Sequence, residues 1–241
     1  MGMRTDLLTL HEREPAAFAH DTLVNLNDYL EHYGIYLLPK STSHQGAVPL
    51  DSIVGHSQGY GSFTWEQGLH GHGFKRMPDA LSKAVSNPSY YLSPATKVGM
   101  SFIKIGDDYF IEGGKHRTIT ARFLAHYNPD SFSGSCVLSG VEITERFVDY
   151  EFMHLASTIR DIQASDTGLY ISLRYAHESS RVCLTLRRKG IDNCILTRAQ
   201  ALDFISDYAN PSVKGKLMGR AHYPWISYTH CVNCWLSSEK S

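Results

Sequence analysis

The sequence predicts an α+β fold, because short β-type segments and longer helical segments alternate along the chain. In the first half, some segments carry apolar side chains every three or four residues, whereas others are short apolar runs. In the second half, alternating apolar side chains predict a β-hairpin over residues 169–186 and one more helix after it. The 241 residues are 42% hydrophobic and 20% charged, which is typical of a globular chain that buries its own core.

The N-terminal part is predicted to hold one amphipathic helix and two short strands. Residues 21–34 carry apolar side chains at helical spacing, with Asp21 able to cap the start and Gly34 the end. Residues 35–38 and 48–54 are short apolar runs bounded by Pro, Gly and Ser, which is typical of strands.

A glycine-rich stretch follows over residues 55–76. Its six glycines disfavour regular structure, so we predict an adaptable, functional loop. Lys75 and Arg76 are candidate phosphate contacts there, and Trp65 and Phe74 are candidate stacking faces for a ligand. The alternative is a loop that is merely solvated.

The next segments alternate between helix and strand. Residues 78–85 begin with proline, which is favoured in the first helical turn, so we predict a helix there. Residues 101–112 have the pattern of a β-hairpin. The hairpin leads directly into Gly113-Gly114, beyond which apolar spacing predicts a helix that ends near Asn128.

The C-terminal part is predicted to be mixed as well. Residues 149–162 have the spacing of a core helix, and Thr197 with Gln200 forms a capping box before the last helix. Three parts result: an N-terminal helical segment over residues 1–47, a core over residues 48–130, and an α/β extension over residues 131–241 that packs on the core.

Bulk properties exclude several classes of protein. A net charge of −1 and a pI near 6.9 argue against a histone-like binder of nucleic acid. No stretch approaches eighteen consecutive apolar residues and no signal-peptide core is present, so we expect a cytoplasmic protein without a membrane partner. Five scattered cysteines are typical of reduced thiols rather than of a disulfide framework.

The main candidate site is the turn Glu112-Gly113-Gly114-Lys115-His116-Arg117. A helix start presents unpaired N–H groups and partial positive charge, and glycines before it let a phosphate approach. The alternative is a tight turn with a solvated basic cluster. The predicted phosphate contacts are Gly113, Gly114, Lys115, His116, Arg117, Thr118, Lys75 and Arg76; the predicted catalytic residues are Glu112, His116 and Arg117, with Glu112 also the predicted magnesium ligand.

Residues 109–122 resemble the signature of the ParB/sulfiredoxin superfamily, an acidic-Gly-x-His-Arg run followed by a helix containing Ala and Arg. Residues 48–55 resemble the first strand of that family. The resemblance implies a mixed sheet with flanking helices, and a nucleotide, ATP or CTP, bound with its phosphates over the turn. Lys115 stands where sulfiredoxin has its cysteine, so thiol-based repair of sulfinic acid is not implied.

The segment after residue 130 lacks the helix-turn-helix pattern of partitioning ParB proteins. The arrangement is more similar to stand-alone ParB-like proteins of bacterial plasmids and mobile elements. The leading hypothesis is therefore a nucleotide-binding protein that hydrolyses ATP or CTP with Mg²⁺. Two alternatives remain open: a metal-dependent DNA nuclease that uses the same turn, and a non-catalytic protein that binds a protein partner or forms a homodimer.

Three further clusters have a functional and a structural interpretation. His70 and His72 are candidate metal or phosphate contacts, or part of a solvated loop. The second cluster has the spacing of half a zinc site, and its alternative is a set of ordinary thiols. The third is a basic patch that could bind nucleic acid, and its alternative is a solvated face. The residues concerned are Cys231, Cys234, His222, His230, Cys183 and Cys194 for zinc, and Arg181, Arg187, Arg188, Lys189 and Arg198 for the basic patch.

Overall fold

The computed structural model describes residues 2–132, 136–165, 169–176, 181–188, 191–196, 198–199 and 202. Its α-helices are α1 (Leu7–Arg13), α2 (Leu26–Tyr33), α3 (Trp65–Leu69), α4 (Met77–Ser86), α5 (Ser89–Leu92), α6 (Lys115–Tyr127) and α7 (Tyr150–Ser165). Its strands are β1 (Thr22–Asn25), β2 (Leu37–Pro49), β3 (Ile53–His56), β4 (Phe63–Thr64), β5 (Ser101–Ile105), β6 (Asp108–Gly113), β7 (Val137–Val148), β8 (Leu169–Ala176), β9 (Arg181–Arg188) and β10 (Ile191–Leu196).

Seven strands form one mixed sheet in the order β2-β7-β5-β6-β3-β1-β4. Strand β5 runs parallel to β7, and β3 runs parallel to both β6 and β1. The pairs β5 with β6 and β1 with β4 are antiparallel. Helices flank this sheet, so the predicted α+β class with a mixed sheet is confirmed.

The predicted C-terminal hairpin is confirmed as part of a second sheet. Strands β8 and β9 pair antiparallel, and β10 adds a third strand in the order β10-β9-β8. Helix α7 confirms the predicted core helix, because Phe152, Leu155 and Ile159 are all buried. The helix predicted after Thr197 lies largely outside the described residues.

The chain separates into two compact units. The first comprises Met1–Gly34 and Lys40–Val148, and the second comprises Ile35–Pro39 and Asp149–Ser241. Strands β1 and β7, which the sequence placed outside the core, therefore belong to the same unit as residues 48–130. The predicted packing of the extension on the core stays a prediction.

Helix α6 is the central helix of the first unit, where it packs against α1, α3 and α4. Its Ile119, Phe123 and Leu124 are fully buried. The contact with α3 is close, since a Cβ on Gly68 would lie 2.7 Å from the Cδ1 of Ile119. The first turn of α6, which carries the candidate site, is thus held by a helix that the core fixes in place.

The helix predicted over residues 21–34 begins later than expected, and Asp21 does not cap it. Residues 22–25 instead form β1, because Leu23 is fully buried and Val24 and Asn25 pair with β3. The cap of α2 is Asn25, whose side chain accepts a hydrogen bond from the N–H of Asn27 at 2.9 Å. Gly34 ends α2 in the left-handed conformation, as predicted.

The two short strands predicted over residues 35–38 and 48–54 were divided wrongly. Strand β2 runs without a break from Leu37 to Pro49, and β3 begins only at Ile53. The middle of β2 is polar and exposed, which the pattern of apolar runs could not detect as strand. An edge strand tolerates such residues because one side of it faces no neighbouring strand.

Residues 55–76 are more regular than their glycine content predicts. Strand β4 and helix α3 lie within this stretch, and α3 begins with a capping box between Thr64 and Gln67. Trp65 is 3% exposed and belongs to the core, so the prediction that it forms a stacking face for a ligand is wrong. Phe74 is 5% exposed but lines a cavity described below, so its predicted role stays a prediction. By contrast, α4 begins with Pro78 in its first turn, as predicted.

Candidate functional site

The turn before α6 has the predicted shape but a different reason for its glycines. Gly114 adopts a left-handed conformation, with φ of 78°, and is the N-cap of α6 without any side-chain cap. A Cβ on Gly114 would lie 2.8 Å from the Cγ of Met100, and one on Gly113 would lie 2.8 Å from the Oγ of Ser101. The two glycines are therefore required by close packing against residues 99–101, and the uncapped N–H groups of α6 remain a place for an anion.

Lys115 is the first residue of α6 and is only 5% exposed. Its Nζ lies 3.2 Å from the ring centre of Tyr60 and 4.0 Å from that of Phe74. Among the described residues, this ammonium has no hydrogen-bond or ion-pair partner. Ring faces compensate only part of the lost hydration of a cation, so the ammonium is left with capacity to bind an anion.

The guanidinium of Arg117 forms hydrogen bonds within the protein. Its Nη1 donates to the hydroxyl of Tyr90 at 2.8 Å and to the carbonyl of Val98 at 3.0 Å, and its Nη2 donates to the carbonyl of Gly99 at 2.7 Å. These bonds fix residues 98–99 against the first turn of α6. The predicted role of Arg117 as a principal phosphate donor therefore has little geometric support, although its charge lies at the site.

Lys97 also fixes the chain just before residues 98–99. It is 2% exposed, and its Nζ donates to the carbonyls of Ser93 at 2.6 Å and of Ser139 at 2.7 Å. Burial lowers the pKa of Lys97 below the ordinary lysine value. We call residues 93–99, fixed by Lys97 and Arg117, the stapled segment.

His116 and Thr118 differ in their access to a ligand. Burial, followed by the charges of Lys115, Arg76 and Arg117, lowers the pKa of His116 below its ordinary value, so the ring is favoured in its neutral form. Thr118 is fully buried, and its hydroxyl donates to the carbonyl of Gly114 at 3.2 Å. Thr118 thus stabilises the turn internally and does not reach a ligand, contrary to its predicted role.

Glu112 is the last side chain of β6 before the two glycines. It is exposed to solvent, whereas Phe110 and Ile111 before it are both buried. Its backbone carbonyl accepts a hydrogen bond from the Nε2 of Gln58 at 2.7 Å. The described residues contain no group of three or more His, Cys, Asp or Glu side chains able to hold a metal ion. The predicted roles of Glu112 as metal ligand and catalytic base stay predictions.

The first turns of α4 and α6 line one open cavity of about 630 Å³, which we call the basic cavity. Two predicted residues, Lys75 and Arg76, lie on its wall, as do Lys83 and Asp79, which the sequence did not single out. Like α6, α4 has no side-chain cap at its start. The charged or titratable residues of the lining are Lys75, Arg76, Lys83, Lys115, His116, Arg117 and Asp79.

Five of these residues are Lys or Arg and one is Asp, so the described lining has a formal charge of +4 with His116 neutral. Two helix starts add partial positive charge. The described lining therefore carries a strong positive field. Glu112 and Thr118 do not belong to it.

Sequence reasoning predicted a functional loop over residues 55–76 but did not single out Gln58 and Tyr60, which line the cavity. Tyr60 is half-exposed, and the Nδ2 of Asn25 donates to its carbonyl at 3.2 Å. The signal that could have found it is an aromatic residue between two glycines, Gly59 and Gly61, in a stretch otherwise interpreted as a loop. Tyr60 and the predicted Phe74 are the aromatic residues of the described lining, and Trp65 is not part of it.

The remaining predicted clusters are resolved in part. His72 stacks on Phe63 with ring centres 5.1 Å apart, which accounts for its ring without a metal. Arg198 forms two hydrogen bonds with Asp149, at 2.7 and 2.6 Å, and so is used within the second unit. The other residues of the predicted zinc site and basic patch lie outside the described residues or have side chains that the structure does not describe.

Comparison of the chain with family models, with curated proteins and with solved structures gives no match. The resemblance of residues 109–122 to the ParB/sulfiredoxin superfamily therefore stays a prediction. Within the described part of the chain, every helix is too short or too polar to cross a membrane.

Proposed function

We propose that this protein binds a nucleotide, with the phosphates in the basic cavity between the first turns of α4 and α6. The observation that carries the proposal is Lys115, a buried lysine on the cavity wall whose ammonium has no anionic or hydrogen-bonding partner among the described residues. A negatively charged oxygen cluster supplies the partner that this ammonium lacks. The resemblance of residues 109–122 to a nucleotide-binding family supports the same ligand class.

The surrounding charges and dimensions support a ligand larger than a single small anion. Lys75, Arg76 and Lys83 approach from α4 and the chain before it, whereas Lys115 approaches from α6. A cavity of about 630 Å³ is within the usual size range for small-molecule sites. We therefore expect ATP or CTP to bind through several cations at once.

Magnesium fits this site as an ion that enters with the phosphates. Asp79 is the carboxylate among the described lining residues, so one protein ligand is present where a resident metal needs several. When bound, Mg²⁺ would neutralise phosphate charge, with Asp79 or water completing its coordination. Hydrolysis would then depend on Asp79, because Asp79 lines the cavity and Glu112 does not. The metal-dependent nuclease that uses the same turn stays an alternative.

Isothermal titration calorimetry with ATP and CTP, with and without magnesium, tests the proposal on the full chain. We expect saturable binding that weakens as ionic strength rises, since the cations are partly exposed. Lys115→Met and Arg76→Gln should each weaken binding. Lys40→Gln removes the same charge at an exposed position away from the cavity and should leave binding unchanged.

Two results would contradict the proposal. One is no saturable binding of either nucleotide at about 1 mM, an affinity too weak for a built site. The other is equal loss of binding in Lys40→Gln and Lys115→Met, because it would indicate non-specific attraction to the whole surface.

A further inference from the structure

Tyr60 presents an open aromatic surface to the basic cavity. The side chain is 47% exposed, whereas Phe74 beside it is buried. The Tyr60 ring meets the ammonium of Lys115 on one side, 3.2 Å from its centre, and the ring of Phe74 edge-on at 5.4 Å. The rest of the ring is left open on the cavity wall.

The loop that carries Tyr60 is fixed to the ends of two strands. The Nδ2 of Asn25, at the end of β1, donates to the carbonyl of Gln58 at 2.9 Å as well as to that of Tyr60. The Nε2 of Gln58 donates to the carbonyl of Glu112 in β6. The ring is therefore positioned before any ligand binds, which reduces the entropy lost when a planar group stacks on it.

From this arrangement we infer that Tyr60 is the platform on which the base of the bound nucleotide stacks, while Lys115 and the other cavity cations hold its phosphates. This inference rests on the proposed function. The Lys115 ammonium lies against the same ring, so a phosphate and a stacked base fall within the span of one nucleotide. An aromatic face stacks with every base, so the platform adds affinity without selecting between purine and pyrimidine.

Titrations with ATP, CTP and inorganic tripolyphosphate separate the platform from the phosphate site, because tripolyphosphate has no base. Wild-type protein should bind both nucleotides more tightly than tripolyphosphate, by roughly 5- to 100-fold for one stacked base. Tyr60→Leu keeps an apolar cover over Lys115 but removes the ring, so nucleotide affinity should fall to that of tripolyphosphate. Tyr60→Phe should retain the nucleotide affinity of the wild type.

Tyr33→Leu is the matched control, because Tyr33 is also an exposed tyrosine, 60% exposed on α2, and does not line the basic cavity. It should bind all three ligands as the wild type does. Equal weakening of tripolyphosphate and nucleotides by Tyr60→Leu would overturn the inference and leave Tyr60 as a support for Lys115. Unchanged nucleotide affinity in Tyr60→Leu would overturn it as well. If wild-type protein bound none of the three ligands, the proposed function itself would be wrong.

Discussion

Two basic residues in the first turn of α6 have the same charge and opposite surroundings. The Arg117 guanidinium donates three hydrogen bonds to the hydroxyl of Tyr90 and the carbonyls of residues 98 and 99. The Lys115 ammonium meets only the rings of Tyr60 and Phe74 among the described residues. The comparison teaches that the basic residues at one helix start can have different roles. A cation with hydrogen-bond acceptors around it stabilises the fold, whereas a cation without them is able to bind a ligand.

The stapled segment and the basic cavity extend this contrast beyond the two side chains. In the stapled segment, the buried Lys97 and the half-buried Arg117 donate to backbone carbonyls and are satisfied. In the cavity, Lys115 contacts aromatic rings, and the other cations Lys75, Arg76 and Lys83 are exposed on the same wall, so the folded protein tolerates their shared positive charge. We therefore expect substitutions in the stapled segment to reduce stability and substitutions in the cavity to reduce ligand affinity.

The largest expected effect is that of Lys97→Met. This change removes the charged donor to the carbonyls of the half-buried Ser93 and Ser139. The free energy of unfolding should fall by about 3 kcal/mol, as measured by urea denaturation. Lys40→Met makes the same change at an exposed lysine and should cost less than about 0.5 kcal/mol. Equal unfolding midpoints for the two variants would show that water satisfies the carbonyls, and the contrast between the two regions would fail.

Arg117→Met should come next, with a loss of about 2 kcal/mol in the free energy of unfolding. The expected cause is the loss of three charge-assisted hydrogen bonds to the stapled segment. Arg117→Lys should recover only part of the loss, because one ammonium cannot reproduce the fork of the guanidinium.

The control for Arg117 is Arg4→Met. Arg4 pairs with Glu14 on the surface at 3.1 Å, and an exposed pair of this kind contributes less than about 1 kcal/mol. If Arg117→Met were as stable as Arg4→Met but had lost nucleotide binding, Arg117 would belong with Lys115 and the division proposed for α6 would be wrong.

Lys115→Met should show the opposite profile. Its free energy of unfolding should stay within about 1 kcal/mol of the wild type or rise, because a buried cation is replaced by a thioether that packs well on aromatic rings. Nucleotide affinity should nevertheless fall by about tenfold or more, which corresponds to one charge-assisted contact of about 1.4 kcal/mol. Thermal unfolding and calorimetry on the same preparation test both parts. A loss of stability as large as that of Arg117→Met would place Lys115 among the structural cations.

The sequence predicted the strand, glycine turn and helix of the candidate site because those signals are local. The hairpin pattern over residues 101–112 and the stop at Asn128 depend on neighbouring residues only. The same reasoning failed over residues 21–25, because the burial of Leu23 is set by pairing with β3, which is distant in sequence. It failed for β2 as well, since an edge strand needs no apolar pattern in its middle.

Within the candidate site, residue type was predictable and partner choice was not. The sequence identifies Lys115 and Arg117 as basic, but the carbonyls that bind Arg117 come from residues 98 and 99, which the fold brings to it. Glu112 was assigned to the site by its position in the chain, whereas its exposed side chain is not part of the cavity lining. Asp79 reaches the cavity through tertiary contacts and no local pattern marks it, whereas Tyr60 is marked only by the glycines on either side of it.

The smallest expected effect is the dependence of stability on pH that arises from His116 in the cavity. The pKa of His116 is lowered in the folded protein by burial and by its cationic neighbours, so the unfolded chain binds more protons between that lowered pKa and about 6.5. Stability should therefore fall as pH falls through this window, by under about 1 kcal/mol because the ring is only half-buried.

A bound polyphosphate reverses the sign for His116, since its negative charge favours the imidazolium form. Nucleotide affinity should then rise as pH falls, and His116→Gln should flatten that rise; the titration of the phosphates themselves is common to both proteins and cancels in the comparison. His126→Gln is the control, because the pKa of His126 is also lowered by burial but the residue does not line the cavity. It should change the pH profile of stability and leave that of affinity unaltered. Identical affinity profiles for wild type and His116→Gln would mean that the ligand does not approach the first turn of α6, and Lys115 would then lose its expected anion.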